Sequence, residues 1–275
     1  MLDVKSPEML RKKIDDSKKV IREAFERFVI SDLAVAWTGG KDSTFVLWLM
    51  REVCQEDKLS IPRCFNIDEG DMFDEVRAFI DEVGSKWGVE MGIIHNSDVS
   101  RAAGGELGAT VRVGDLNERN RREIARLGYG EPEFPYEPES FVGNHLMKTV
   151  VLNEYLERYG VKGFFEGIRW DEQSSRANEI YFSPREATEY SPEHMRICPI
   201  LHFTEREVWE AHFAYGIPMC SLYAQGYRSL GARVTTTKAS DVPAWEQDLE
   251  NTEERGGRRQ DKEHLMERLR KLGYM

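Results

Sequence analysis

The sequence is poor in cysteine, and none of its four cysteines stands in a C-x-x-C pair. Cys54, Cys64, Cys198 and Cys220 therefore offer neither a zinc site nor an iron–sulfur ligand set, and they read as buried free thiols. No apolar run approaches the roughly 20 residues that span a bilayer, so no membrane partner is expected. The opening stretch MLDVKSPEMLRKKIDD lacks the apolar centre and small-residue cleavage site of a signal peptide. A cytoplasmic location is the expectation. Basic charge is scarce as well. A net charge of −11 argues against general nucleic-acid binding, while leaving room for a local basic pocket for phosphate or sulfate. Two phosphate-binding signatures are missing. A Walker A loop needs Gly five positions before its Gly-Lys pair and Ser or Thr right after the Lys, where this chain has Val35 and Asp42. No G-x-G-x-x-G fingerprint occurs either. The histidines His95, His145, His194, His202 and His212 show no metal-ligand spacing and read as structural.

What is present is a soluble globular composition, 40% hydrophobic and 32% charged, over 275 residues. That length suits one large domain, or one domain with a smaller extension. Residues 7–29 carry Leu10, Ile14, Ile21, Phe25 and Phe28 at helical spacing. The run 33–37 reads as a buried strand, and Phe45, Leu49 and Val53 mark the helix that follows it. The pattern returns with a strand at 63–67, a helix at 72–87, a strand at 91–95, a helix at 145–159 and a strand at 163–168. Alternating helices and short apolar strands predict an α/β fold, a mostly parallel twisted sheet with helices on both faces. The Gly-, Pro- and charge-rich stretch 97–140 interrupts that rhythm. It reads as an insertion or flexible cover with one short helix near Asn117–Leu127. Thr204 followed by Glu207 is a capping-box signature for a further helix. These readings place a nucleotide-binding α/β domain at 1–215 and an irregular, partly helical extension covering the site at 216–275. In that extension Leu265, Leu269 and Leu272 form one apolar stripe.

The segment Thr38-Gly39-Gly40-Lys41-Asp42-Ser43 leaves the first strand and enters a helix. Two glycines let the backbone approach a ligand without a Cβ in the way. The first helical turn offers unpaired N–H groups and the positive end of its dipole. Together they make an anion cradle suited to phosphate, with Thr38 and Ser43 adding hydroxyls and Lys41 a charge. An ordinary strand-to-helix turn is the alternative. Downstream, the residues from Arg169 to Ala177 follow another strand and gather two guanidinium groups and two carboxylates, Asp171 and Glu172. Arginine suits bidentate binding of phosphate or sulfate, although a salt-bridged surface loop has the same composition.

T-G-G-K-D-S resembles the S-G-G-x-D-S loop of the PP-loop ATP pyrophosphatases, also called adenine nucleotide α-hydrolases, with Thr38 keeping the hydroxyl of the usual Ser. The block from Gly167 through Arg169, Asp171, Glu172 and Arg176 resembles the G-x-R-x-D-E-x-x-S-R-A stretch of that family's sulfonucleotide branch, which holds ATP sulfurylase small subunits and the phosphoadenylyl-sulfate or adenylyl-sulfate reductases. Trp170 stands where that branch often has Arg. Ile197-Cys198-Pro199-Ile200 with Thr204–Trp209, then Gly226–Gly231, then Asn251–Arg258 with the ending Lys271–Met275, are similar to further pieces of the same branch. The reductases act through a C-terminal Cys, and this chain has none after Cys220; Ala232 fills one family position. The resemblance thus implies a sulfate adenylyltransferase, in which a sulfate oxygen attacks the α-phosphorus of ATP and pyrophosphate leaves. The alternative is a reductase-family relative with another acceptor, or one that only binds nucleotide.

On this reading Lys41, Asp42, Arg169 and Arg176 carry the chemistry. Thr38, Gly39, Gly40, Ser43, Asp68, Gly167, Asp171, Arg228 and Arg233 bind the nucleotide. Lys41 and Ser43 take the pyrophosphate part, and Arg169 and Arg176 the sulfate or α-phosphate. Asp42 is the Mg²⁺ candidate, with ATP as substrate. Asp68, at the C-terminal edge of the sheet, reads equally as a helix N-cap. Arg255 and Arg258 are further candidates to close over the nucleotide, and Lys148 falls in a segment like one of the sulfurylase subunits. The implied partners are ATP, sulfate or a sulfonucleotide, and a separate GTPase large subunit. A homo-oligomer is compatible with the sequence.

Overall fold

The computed structural model describes residues 6–173, 176–189 and 191–254. Helix α1 (Pro7–Arg27) starts with Pro, whose fixed φ suits a first helical turn. Then come β1 (Leu33–Ala36), α2 (Lys41–Asp57), β2 (Arg63–Ile67), α3 (Asp74–Trp87) and β3 (Met91–Ile94). The stretch expected as an insertion holds α4 (Ser97–Ala102), β4 (Thr110–Arg112), α5 (Glu118–Arg126) and β5 (Glu133–Pro135). After it follow α6 (Phe141–Asn144), a π-turn at His145–Val150, α7 (Val151–Tyr159), β6 (Gly163–Phe165), β7 (Phe182–Arg185), β8 (His194–Ile197) and α8 (Glu205–Tyr215).

The main sheet runs β3-β2-β1-β6-β8-β7, parallel throughout except for the antiparallel edge strand β7. This is the mostly parallel, helix-flanked sheet expected from the sequence. Side chains alternate across it. Leu33, Val35, Cys64, Phe165 and Ile197 join α1, α2, α3 and α8 in one core. Ala34, Phe65 and Phe164 join Tyr155 and Leu156 of α7 in a second. Helix α2 is buried on nearly every side from Ser43 to Met50, because α1 and α8 pack over it against the sheet. The capping box of α8 is present as read, with the Thr204 side chain on the Glu207 N–H and the Glu207 side chain returning to the Thr204 N–H.

Three features differ from the expectation. The stretch 97–140, read as an insertion or flexible cover, carries the expected short helix as α5 and more regular structure besides. β4 and β5 pair antiparallel, and Val99, Val111, Leu116, Ile124, Phe134 and Leu146 form a core of their own. Asn96 and Asn120 exchange side-chain amide bonds at 3.0 and 3.2 Å, tying α4 to α5. Strands of three residues are too short to print a period-2 pattern, and the glycines between them masked the rest. Strands β7 and β8 also escaped the sequence reading. Their sequences, FSPR and HMRI, mix polar residues and Pro, and Pro184 is tolerated because β7 is an edge. Finally, β6 ends at Phe165 rather than running on to Ile168. After α8 the chain proceeds in short turns, yet Ile217, Cys220, Leu222, Tyr223 and Ala244 belong to the main core. The Leu265–Leu272 stripe, Arg255 and Arg258 lie outside the described residues.

Candidate functional site

The strand order places a crevice. From β1 the chain builds outward through β2 to β3, then returns to the other side of β1 to lay down β6 and β8. The loops after β1 and β6 therefore leave neighbouring strands and diverge, which is where open α/β sheets bind ligands. Those loops are Thr38–Ser43 and Glu166–Asp171.

The first loop is shaped by local bonds. Gly39 has φ +74°, a conformation that side chains disfavour. Ser43 Oγ lies 3.1 Å from Thr38 Oγ1 and accepts the Thr38 N–H at 3.2 Å. The Lys41 N–H donates to Tyr223 Oη at 2.8 Å, and the Lys41 carbonyl lies 2.9 Å from His212 Nε2. Residues far along the chain thus pin the start of α2. With the Lys41 N–H held by Tyr223, the glycine turn and the first turn of α2 form the strand-to-helix passage in which the sequence reading places an anion cradle. Gly167 brings the second loop against this one. A Cβ there would lie 2.7 Å from Asp42 C and Ser43 N.

The charged side chains of both loops converge. Lys41, 1% exposed, bonds Glu254 and lies 3.1 Å from Asp42 Oδ2 and 3.9 Å from Glu205 Oε1. Arg169, fully buried, bonds Asp42 through Nη1, Glu254 through Nη2 and Asp171 through Nε at 2.8 Å. Lys41 and Arg169 thus bridge two carboxylates, each cation holding one oxygen of Glu254 and one of Asp42. Burial opposes the charge of each, but the surrounding carboxylates, Asp42 first, outweigh it and raise both pKa values. Burial alone would raise the Glu254 carboxyl, yet Arg169 and Lys41 hold it far below the usual carboxylate range. Asp171 also accepts the Glu205 N–H at 2.8 Å, fixing the start of α8 to the second loop. Glu205 in turn holds Arg228 through three contacts of 2.7–3.2 Å. Arg228 further bonds Thr252 Oγ1 at 2.5 Å and the carbonyls of Asp248, Leu249 and Thr252.

The other candidate residues pair with partners outside this knot. Arg176 pairs with Glu172 at 2.9 Å. Asp68 is not a helix N-cap; it accepts the Gly70 N–H at 2.9 Å and Arg77 at 2.5 Å, bracing the turn after β2. Arg233 lies 3.5 Å from Asp71 with its side chain 55% exposed, and Lys148 pairs with Glu69 at 2.9 Å. Glu205, Tyr223 and Glu254 were not singled out from the sequence, and His212 was read there only as structural. Glu205 and Glu254 do fall inside the motif pieces T-E-x-E-V-W and T-E-E-R-G-G-R, which was the available signal.

Among the described residues no three His, Cys, Asp or Glu side chains converge as a metal cage. Asp42, the Mg²⁺ candidate, has one cation on each of its carboxylate oxygens, Lys41 on Oδ2 and Arg169 on Oδ1. The thiols fit no nucleophilic role. All four are buried, and burial pushes Cys54 up to about 11 and the other three upward as well.

Residues 32–238 match the family model described as phosphoadenosine phosphosulfate reductase domain. The chain is 27% identical over 203 residues to a protein named sulfate adenylyltransferase subunit 2 from Chelativorans sp. (strain BNC1), covering 67% of this chain and 58% of that relative. It is 25% identical over 227 residues to the protein of the same name from Pseudoalteromonas translucida (strain TAC 125), covering 76% and 65%. The matches thus span about three fifths of these relatives. Among solved structures, Candida glabrata FMN adenylyltransferase in complex with FMN and the ATP analog AMPCPP superposes with a TM-score of 0.60 at 17% identity, over 86% of this chain and 70% of that one. That likeness concerns the fold.

Proposed function

Because the chain belongs to the phosphoadenosine phosphosulfate reductase domain family, we propose that it is an ATP-using nucleotidyltransferase that cleaves ATP between the α- and β-phosphates, with sulfate as the acceptor. The observation that carries this reading is the meeting of two loops at one crevice, with Lys41 and Arg169 side by side on the same two carboxylates, Asp42 and Glu254. Relatives named sulfate adenylyltransferase subunit 2 support the choice of acceptor. The buried, unactivated thiols argue against reduction.

In the proposed reaction a sulfate oxygen forms a bond to the α-phosphorus. The bond from that phosphorus to the bridging oxygen breaks, its electron pair leaving with pyrophosphate. The products are adenylyl sulfate and pyrophosphate. The N–H groups of Gly39, Gly40 and Ser43, with the Thr38 and Ser43 hydroxyls, cradle the leaving pyrophosphate. Lys41 and Arg169 face the charge that builds on the phosphates, positioned before the reaction starts. Arg176 is assigned to the incoming sulfate. Mg²⁺ enters with the triphosphate as part of the substrate, bound largely by phosphate oxygens and water. A relative's designation as subunit 2 supports a partner chain, and a separate GTPase subunit is the partner proposed.

The test is to mix the purified chain, alone and with a GTPase partner, with ATP, Mg²⁺ and sulfate, and to measure pyrophosphate. Sulfate-dependent release is expected. Release that ignores sulfate, or its absence in both mixtures, would remove sulfate as the acceptor.

A further inference from the structure

Glu254 stands apart from the other carboxylates of the charged knot. Asp42 lies in the first turn of α2, Asp171 is fastened to the start of α8, and Glu205 is part of α8 itself. Glu254 sits on an irregular segment after α8, yet it is only 8% exposed. That segment is a small self-bonded turn. Asn251 N–H donates to Asp248 Oδ1 at 3.1 Å, and Thr252 Oγ donates to the Asp248 carbonyl. It is held from outside by Arg228 and by the Arg206–Glu250 pair at 2.5 and 2.8 Å. Between these anchors Asn251, Thr252 and Glu253 are exposed.

The knot is electrically full. Three cations, Lys41, Arg169 and Arg228, face four carboxylates, Asp42, Asp171, Glu205 and Glu254. The Arg169 donors Nε, Nη1 and Nη2 each already hold a carboxylate. A triphosphate entering this crevice brings several more negative charges into a buried, low-dielectric place, where an uncompensated anion is strongly disfavoured. Mg²⁺ arriving with the triphosphate offsets part of that charge, and release of one carboxylate offsets more; Glu254 is the one of the four whose backbone is not part of the sheet-anchored loops or α8. Like Asp42, it presents to Lys41 and Arg169 two oxygens on one atom, as one phosphoryl group would; unlike Asp42, its backbone is not part of α2.

We propose that the Glu254 carboxylate is an internal ligand occupying the place of one phosphoryl group, so that the 248–254 segment and the nucleotide's phosphates exclude one another at Lys41 and Arg169. This rests on the nucleotide reading for the identity of the incoming anion. The segment works as a self-ligand: it keeps the two cations paired and oriented while the site is empty and yields to the triphosphate. The apparent affinity for phosphates is then the intrinsic affinity reduced by the fraction of molecules with the segment released.

The experiment uses the full chain, with inorganic tripolyphosphate and ATP as separate probes. Binding is measured by calorimetry, and hydrogen exchange is followed in peptides covering 248–254. Glu254→Gln keeps the shape and removes the charge. Arg206→Ala loosens the outer anchor of the segment without touching the knot. The expected result is tripolyphosphate binding tightened by about tenfold or more in Glu254→Gln, as for a competent state populated at roughly a tenth, with a change in the same direction in Arg206→Ala. Tripolyphosphate should also speed exchange across 248–254 in the unmodified chain. Unchanged or weaker binding in Glu254→Gln, with exchange across 248–254 slowed by the anion, overturns the inference and makes Glu254 a fixed member of the site. ATP bound equally by both forms sinks this inference and leaves the nucleotide reading intact. Tripolyphosphate competition without any ATP binding sinks the nucleotide reading and leaves the inference standing.

Discussion

Gly167 and Asp42 touch through their backbones: a β-carbon on Gly167 would lie 2.7 Å from the Asp42 carbonyl carbon and 2.9 Å from its oxygen. The two loops of the crevice are therefore held at the distance that only a residue without a side chain allows. It is this approach that lets Arg169, two residues further on, reach Asp42 and Glu254.

Gly167→Ala tests that spacing. The obstructing atoms are backbone and cannot rotate away, so overpacking should cost about 1–3 kcal/mol or more. Urea unfolding reads the cost. Pyrophosphate release should fall too, since Arg169 moves with the loop. A variant with full stability and full activity would show that the loops are free to part.

Lys41→Met removes the cation at the start of α2 and retains most of the buried stem. Loss of one preorganised charge partner at a transferring phosphate costs roughly 10²–10³-fold in kcat, read as pyrophosphate release at saturating ATP. Asp42→Ala should also abolish release, because Lys41 and Arg169 both lose the carboxylate that orients them. Full activity in either variant counts against the site.

Arg228→Ala addresses a different role. Arg228 is 3% exposed and holds Glu205 together with the 248–252 turn. Removing it leaves Glu205 buried without its guanidinium partner, a loss of about 3–5 kcal/mol. A melting temperature equal to that of the unmodified chain would mean that the turn and Glu205 find other partners.

Four histidines set a pH dependence. Burial lowers the pKa of His145, His194, His202 and His212 below the ordinary value, which is about 6.5 in an unfolded chain. Between those lowered native values and about 6.5, the unfolded chain binds more protons than the native one. Stability is therefore fully present above pH 6.5 and is lost as pH falls from there. Thermal melts should show a lower melting temperature at pH 5.5 than at 7.5, and a flat or inverted profile would contradict the assignment.

The sequence by itself determined the alternation of helices and strands, because burying a helix stripe or a parallel strand requires apolar residues at fixed local spacing. It also determined the strand, glycine turn and helix start at Thr38–Ser43, since two glycines between a buried strand and an apolar helical stripe are a local signal. The capping box at Thr204 and Glu207 was legible for the same reason: its partners are three residues apart. Strands β7 and β8 and the small core at 97–140 stayed hidden, because pieces of three or four residues carry no readable period. What only the tertiary structure decided is which charges meet. Lys41 finds Glu254 across 213 positions, and Arg169 finds Asp42 across 127. Tyr223 and His212 close on the backbone of Lys41 from 182 and 171 positions away. Local pattern constrains the backbone of a loop, but the pairing of buried charges depends on which distant segments the fold brings to one place, and on burial making each unpaired charge too costly to leave alone.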